Sequence, residues 1–141
     1  MNEDRLIMSD RDFERVMALR PEGELAEELE RAIVVPVDIL PWSVVTMHSR
    51  VRYLDETTGV RCEIQIVYPE QADLADGKVS VLAPVGAALF GLSVGQTIEW
   101  TFPDGKLHRL RVEALLFQPE SYFYERDSDG GLRESSPQQS V

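Results

Sequence analysis

Apolar residues change their spacing once along this chain, near residue 36, and the change separates a helical part from a strand-forming part. Between residues 9 and 33 they recur at helical intervals: Phe13, Val16 and Met17 share one face, and Leu25, Leu29, Ala32 and Ile33 share another. Ser9 followed by Asp12 has the spacing of a capping box, and Met8 with Phe13 that of a hydrophobic staple. Pro21 ends the first helix, Gly23 permits a reversal, and Pro36 drives the residue before it into an extended conformation. This pattern predicts a small antiparallel helical hairpin. Arms of about 10 to 12 residues project roughly 15 to 18 Å at 1.5 Å per residue. Helices that short are marginal alone and have to pack on each other or on the following domain.

Past the two-proline linker PVDILPWS (36–43) the pattern has period two. VVTMHSRVRYL (44–54) puts Val45, Met47, Val51 and Tyr53 on one face, and VRCEIQIVY (60–68) alternates Val60, Cys62, Ile64, Ile66 and Tyr68 against Arg61, Glu63 and Gln65. DETTG (55–59) is a turn and PEQADLADG (69–77) a surface loop. VSVLA (79–83) reads as a buried strand, Pro84 as the start of a short helix over VGAALF, and Gly91 as its left-handed stop. QTIEWTF (96–102) sets Ile98, Trp100 and Phe102 on one side. After the turn PDG, KLHRLRVEALLF (106–117) sets Leu110, Val112 and Leu116 on one face. The fold class expected is α+β: a curved, antiparallel-rich sheet covered by one short helix. Three segments follow from this reading: 1–40 as hairpin and linker, 41–120 as the globular domain, and 121–141, rich in Ser, Gly and Asp, as a disordered tail.

VSVLAPVGAALFGLSVGQTI (79–98) carries no charge in a chain whose net charge is −11. Its length would suffice for a membrane span, but Pro84 and three glycines break it and no Lys/Arg cluster flanks it. A phosphate loop is excluded too: its glycines lie five and four positions apart, and no basic residue occurs between 79 and 105. What remains is the centre of the domain. The acidic balance disfavours docking on a phosphate backbone and favours a basic protein surface or plain solubility. One cysteine, Cys62, rules out an internal disulfide framework and fits a reducing compartment. The acidic start MNEDRLIMSD is unlike a signal peptide, so the expected location is cytoplasmic, with no membrane contact.

Few residues offer chemistry. His48 and His108 lie on different strands without carboxylates at ligand spacing and read as structural or solvent-facing. Cys62 falls on the apolar face of its strand and reads as a small core residue. Neither a catalytic triad nor a metal or cofactor site can be assembled. The one pair of interest is Glu22 and Glu24 at the hairpin turn, where two carboxylates on a protruding tip would hold Mg²⁺ together with another protein's acids, or would simply be polar turn residues.

The blocks VVTMHSRVRY, IVYPEQAD, KVSVLAPVGAALFGLSVGQTIEW and FQPE together resemble the Rnk family, regulators of nucleoside diphosphate kinase and relatives of the GreA/GreB transcription elongation factors. The likeness covers residues 10 to 120 and is most specific over 79 to 100. It implies an FKBP-like C-terminal domain behind an N-terminal coiled-coil hairpin. It also implies binding to RNA polymerase at the rim of the secondary channel, where a loop matching LAPVG docks on a coiled coil of the large subunit. Carried over, Pro84, Val85 and Gly86 form that docking bend; Ala83 stands where Gre factors usually have serine. The expectation is a non-enzymatic regulator that touches nucleic acid only through polymerase and competes with cleavage factors, because arms this short do not reach the catalytic metal. Two alternatives stay open: a Gre-like stimulator of transcript cleavage, and a direct protein regulator of nucleoside diphosphate kinase.

Overall fold

A computed structural model describes residues 6–121. The chain runs β1 (Ile7–Ser9), α1 (Asp10–Met17), α2 (Gly23–Glu30), β2 (Ile33–Val35), β3 (Arg50–Asp55), β4 (Val60–Val67), β5 (Lys78–Ser80), α3 (Pro84–Leu89), β6 (Thr97–Thr101) and β7 (Leu107–Phe117). Five strands form one sheet in the order β5-β4-β3-β7-β6, antiparallel except for the β4–β5 pair. The α+β class expected from the period change is therefore present. The tail assigned to 121–141 lies, from residue 122 on, outside the described residues.

The uncharged stretch is the middle of the core. Val81, Ala88, Leu89, Phe90 and Leu92 are fully buried, in one cluster with Val51, Ile66, Leu110 and Val112 from the sheet. Pro84 does start α3, its missing N–H falling where a helix has no internal acceptor. Two glycines let this segment pack. A Cβ on Gly86 would lie 2.2 Å from the Ser80 carbonyl oxygen, so α3 sits directly on the end of β5. Gly91 combines φ of +89° with a Cβ position 2.9 Å from Leu6, which brings the N-terminal strand against the turn after α3.

The N-terminal part departs from the expected hairpin. Both helices are present but have only eight residues each, about 12 Å at the usual rise. Two strands missed by the periodicity flank them: β1 and β2 pair in parallel, Ile7 with Ile33 through Ser9 with Val35. Three residues are too few to show a period: β1 lies just ahead of the helical stretch that begins at residue 9, and β2 overlaps its end at Ile33. The β1 end is tied to the body by the Ile7 N–H donating to the Gly91 carbonyl at 3.0 Å. Leu6, Met8, Val16, Leu25 and Leu29 belong to the same hydrophobic cluster as the sheet. The helices thus lie against the body and do not stand out as a prong. Short helices with few apolar positions gain most by burying them in a large core, and that outweighs pairing with each other.

Ser9 caps α1 as the spacing predicts, accepting the Asp12 N–H at 3.0 Å. The reciprocal half of the capping box does not form. Asp12 turns away and accepts the Met47 N–H at 3.1 Å, which pins α1 to the segment leading into β3. That segment, 44–49, is an irregular turn instead of the first half of a strand, with His48 at φ +70°. Val45 and Met47 are buried all the same.

In β7 the inward face changes partway. Leu110 and Val112 are buried as expected, but Leu116 is 42% exposed while Leu115 packs on the core. The cause is a register shift in the β3–β7 pair between Arg52 and Tyr53, where Tyr53 faces Val112 but Arg52 faces Ala114. A β-bulge adds one residue and so exchanges the two faces beyond it. Leu115→Ala is accordingly expected to lower stability by about 2 kcal/mol and Leu116→Ala by less than about 0.5. Denaturant unfolding checks this; equal losses would mean that the bulge slips in solution. No helix among the described residues is long and apolar enough to cross a membrane.

Candidate docking groove

Three of the residues singled out from the sequence, Glu22, Glu24 and Pro84, line one groove, whereas Val85 and Gly86 do not. A groove of about 520 Å³ opens between the α1–α2 turn, the start of α3 and the end of β6, and Arg20, Glu22, Glu24, Pro84, Trp100 and Phe102 line it. Chain reversal into α2 uses left-handed backbone at Arg20 (φ +57°) and Gly23 (φ +67°), which brings the acidic turn back against the sheet. Glu24 is fixed there: its carboxylate accepts the Thr101 N–H of β6 at 3.0 Å. Glu22 is the N-cap residue of α2 and makes no side-chain capping bond. The two acids therefore do not form a free pair on a tip. One occupies the edge of β6, where it satisfies an N–H that no neighbouring strand covers.

At the other wall, Ala83, Pro84 and Val85 are partly exposed, Leu82 is 43% exposed, and Gly86 is buried. The bend is shaped by the Ser80 hydroxyl accepting the Leu82 N–H at 3.0 Å and by the Ala83 N–H donating to the Ser80 carbonyl. Sequence reasoning brought Trp100 and Phe102 forward only as a strand's inner face. Trp100 is 5% exposed, yet both residues also floor the groove. The only signal was their position at the end of an edge strand, next to Pro103, where an inner face runs out under the covering helix.

The remaining chemistry-bearing residues are structural. His108 had seemed to lack carboxylate neighbours, but folding supplies two: Asp104 from its own hairpin at 3.0 Å and Asp55 from β3 at 2.8 Å, with Phe102 stacked on the ring. Hydrogen bonding to Asp104 and then Asp55 raises its pKa above the ordinary histidine value. His108 in turn holds Asp104 below its usual range. Burial pushes Asp55 up, but the bonds from His108 and the Thr57 and Thr58 N–H groups outweigh it and leave its pKa lowered. The trio ties the β6–β7 turn to the end of β3. Cys62 packs against the core opposite Tyr53, as its alternation indicated. His48 bonds the Gln71 side chain at 2.9 Å.

Comparison with known proteins bears on the groove. Residues 40–115 match the family model "Transcription elongation factor, GreA/GreB, C-term". The regulator of nucleoside diphosphate kinase of Escherichia coli K12 is 36% identical over 130 residues, 86% of this chain and 96% of that protein. Transcription elongation factor GreA of Christiangramia forsetii is 35% identical over 83 residues, 59% of this chain and 52% of that one, so the likeness reaches only about half of GreA. Among solved structures, a GreA/GreB elongation factor from Nitrosomonas europaea superposes with a TM-score of 0.63 at 36% identity, over 82% of this chain and all of that one. The uncharged strand–bend–helix block that builds one wall of the groove lies inside the matched region, and the chain belongs to the GreA/GreB family of transcription elongation factors.

Proposed function

We propose that this protein is a non-enzymatic transcription regulator that binds RNA polymerase through the groove-bearing face of its body. Pro84, Val85 and Gly86 form the docking bend, and it occupies the secondary-channel entrance without delivering acids to the catalytic metal. The observation that carries this is the Glu24–Thr101 bond: the acids of the turn lie against the sheet, beside the docking bend. Family membership supports polymerase as the partner, since the relatives named GreA are transcription elongation factors. The net charge of −11 suits a basic rim and speeds encounter at low salt. We read the sheet with α3 across it as FKBP-like, which carries no isomerase activity with it, because function belongs to sites and not to folds. The cytoplasm is where such a partner is met.

Competition on backtracked polymerase tests the reading. Added alone, the protein is expected to leave transcript cleavage at its basal rate; added with a cleavage-stimulating Gre factor, it is expected to lower the stimulated rate in proportion to its occupancy. Pro84→Ala should weaken that competition. Cleavage stimulated by this protein, and abolished by Glu22→Gln with Glu24→Gln, would install the Gre-like alternative instead.

A second reading rests on the relative named for regulating nucleoside diphosphate kinase, which aligns over 96% of its length. In the direct version of that role the protein binds the kinase. Titrating purified kinase with this chain and finding no complex removes it, leaving an effect on kinase levels through transcription.

A further inference from the structure

A second cavity, of about 430 Å³, lies on the other side of α1, between that helix, the 46–48 turn and the end of β4. Arg11, Asp12, Arg15, His48, Tyr68 and Glu120 are among its lining residues. Two observations there bear on a ligand. Asp12 is 4% exposed and lines the cavity, and the one hydrogen bond given to its carboxylate among the described residues is that from the Met47 N–H to Oδ2. The Tyr68 hydroxyl is sealed from solvent, with no well-formed hydrogen bond among the described residues and the Arg15 guanidinium close by. His48, its ring edge-on to Tyr68 at 5.6 Å, takes its left-handed backbone as the third residue of the turn that the Ser49 N–H closes on the Thr46 carbonyl at 3.0 Å. Buried polar groups left unsatisfied are destabilising unless something else completes them.

The lining fixes what a ligand must carry. Oδ1 of a buried carboxylate calls for N–H donors, the Tyr68 O–H for an acceptor, and the guanidinium groups of Arg11 and Arg15, one helical turn apart, for an anionic group. Glu120, held at the rim by its bond from the Thr46 hydroxyl at 2.8 Å, repels an anion placed near Asp12 and so orients the ligand with its anionic end toward the arginines. The volume suits a molecule of nucleotide size better than an inorganic ion.

We propose that this cavity is a binding site for a small amphoteric molecule that presents two adjacent N–H donors to Asp12 and an anionic group to Arg11 and Arg15. Two sources share that chemistry: a guanine nucleotide, through its ring N–H and exocyclic amine, and a free guanidino amino acid, through its guanidinium and carboxylate. Adenine does not, because a ring acceptor sits beside its amine. The site is separate from the docking groove, so its fate and that of the polymerase reading are decided independently.

Calorimetric titration of the full chain with GMP, AMP, L-arginine and inorganic phosphate tests it. Saturable binding is expected for GMP or for L-arginine, and whichever binds names the source. AMP and phosphate should bind about tenfold more weakly or not at all. Asp12→Asn, which keeps an acceptor for Met47, should weaken binding about tenfold and Tyr68→Phe about threefold, with unchanged circular dichroism. Failure of both GMP and L-arginine to bind at millimolar concentration overturns the site. So does binding that both variants leave intact, or phosphate alone binding as tightly as GMP.

Discussion

Gly86→Ala is expected to lower the stability of the protein by about 3 kcal/mol. The added methyl would lie 2.2 Å from the Ser80 carbonyl oxygen and 3.2 Å from the Val81 Cα, both backbone atoms that no side-chain rotation removes. Relief requires α3 to ride away from β5, and that opens the packing of Ala87, Ala88 and Leu89, all buried in the core. Ordinary helix propensity argues the other way by about 1 kcal/mol, since alanine is the better helix former, but the clash is the larger effect. Urea unfolding monitored by circular dichroism measures the outcome. An unchanged midpoint would show that α3 is not seated as described. The consequence for the proposed function is practical: any loss of polymerase binding in this variant would reflect a displaced helix, whereas Pro84→Ala, at a partly exposed N1 position, probes the proposed docking bend itself.

Asp12→Asn is expected to act in the opposite direction, stabilising the protein at pH 7 by about 1–3 kcal/mol. Burial pushes the Asp12 carboxyl up to about 6; the Met47 N–H pulls it down, Glu120 pushes it further up, and His48 and Arg15 lower it again. A carboxyl whose pKa is higher folded than unfolded binds its proton more tightly in the native state. Stability contributed by that proton is present below the ordinary value near 3.8 and is lost as pH rises through about 6. The wild type should therefore gain stability on acidification from pH 7 toward pH 4. The asparagine variant, which still accepts from Met47, should lack this gain, so the two proteins converge near pH 4. Parallel stability curves across that range would mean that Asp12 is solvated and ordinary. The choice of a costly charge at this position is intelligible if a bound cationic or N–H donor group completes it, and calorimetry on the same variant reads that separately.

The course of the sheet was legible because its strands are long and one-sided. Cys62, Ile64 and Ile66 face the core from β4, and Leu110 and Val112 from β7, as strict alternation requires. Alternation fails where backbone geometry changes without a change in residue type. Nothing in VEALLF marks the bulge that turns Leu115 inward and Leu116 outward. In the N-terminal part, helix positions followed from Val16, Leu25 and Leu29, but periodicity says which face is apolar and not what that face meets. Treating the pair as a prong supposed that the two stripes cover each other. Instead the sheet core takes them, and Glu24 completes an edge strand 77 residues away in sequence. The bend at LAPVG, the proposed docking site, stood out in the sequence as a family-like pattern. Its companions across the groove were not, because only the fold brings residues 20–24 beside 84 and 100–102. The Asp12 cavity was hidden by a good local explanation: a serine and an acid at capping-box spacing account for each other on paper, and the acid was thereby removed from suspicion.

The hydrogen bond from Ile7 to Gly91 sets an order of events during synthesis. The strand at the beginning of the described chain has no complete seat until the residues after α3 have left the ribosome. Leu6 and Met8 would until then remain wetted, available to chaperones or to a neighbouring nascent chain. A change that disturbs residues 6–9 is thus felt far along the chain, as a loosened turn at Gly91.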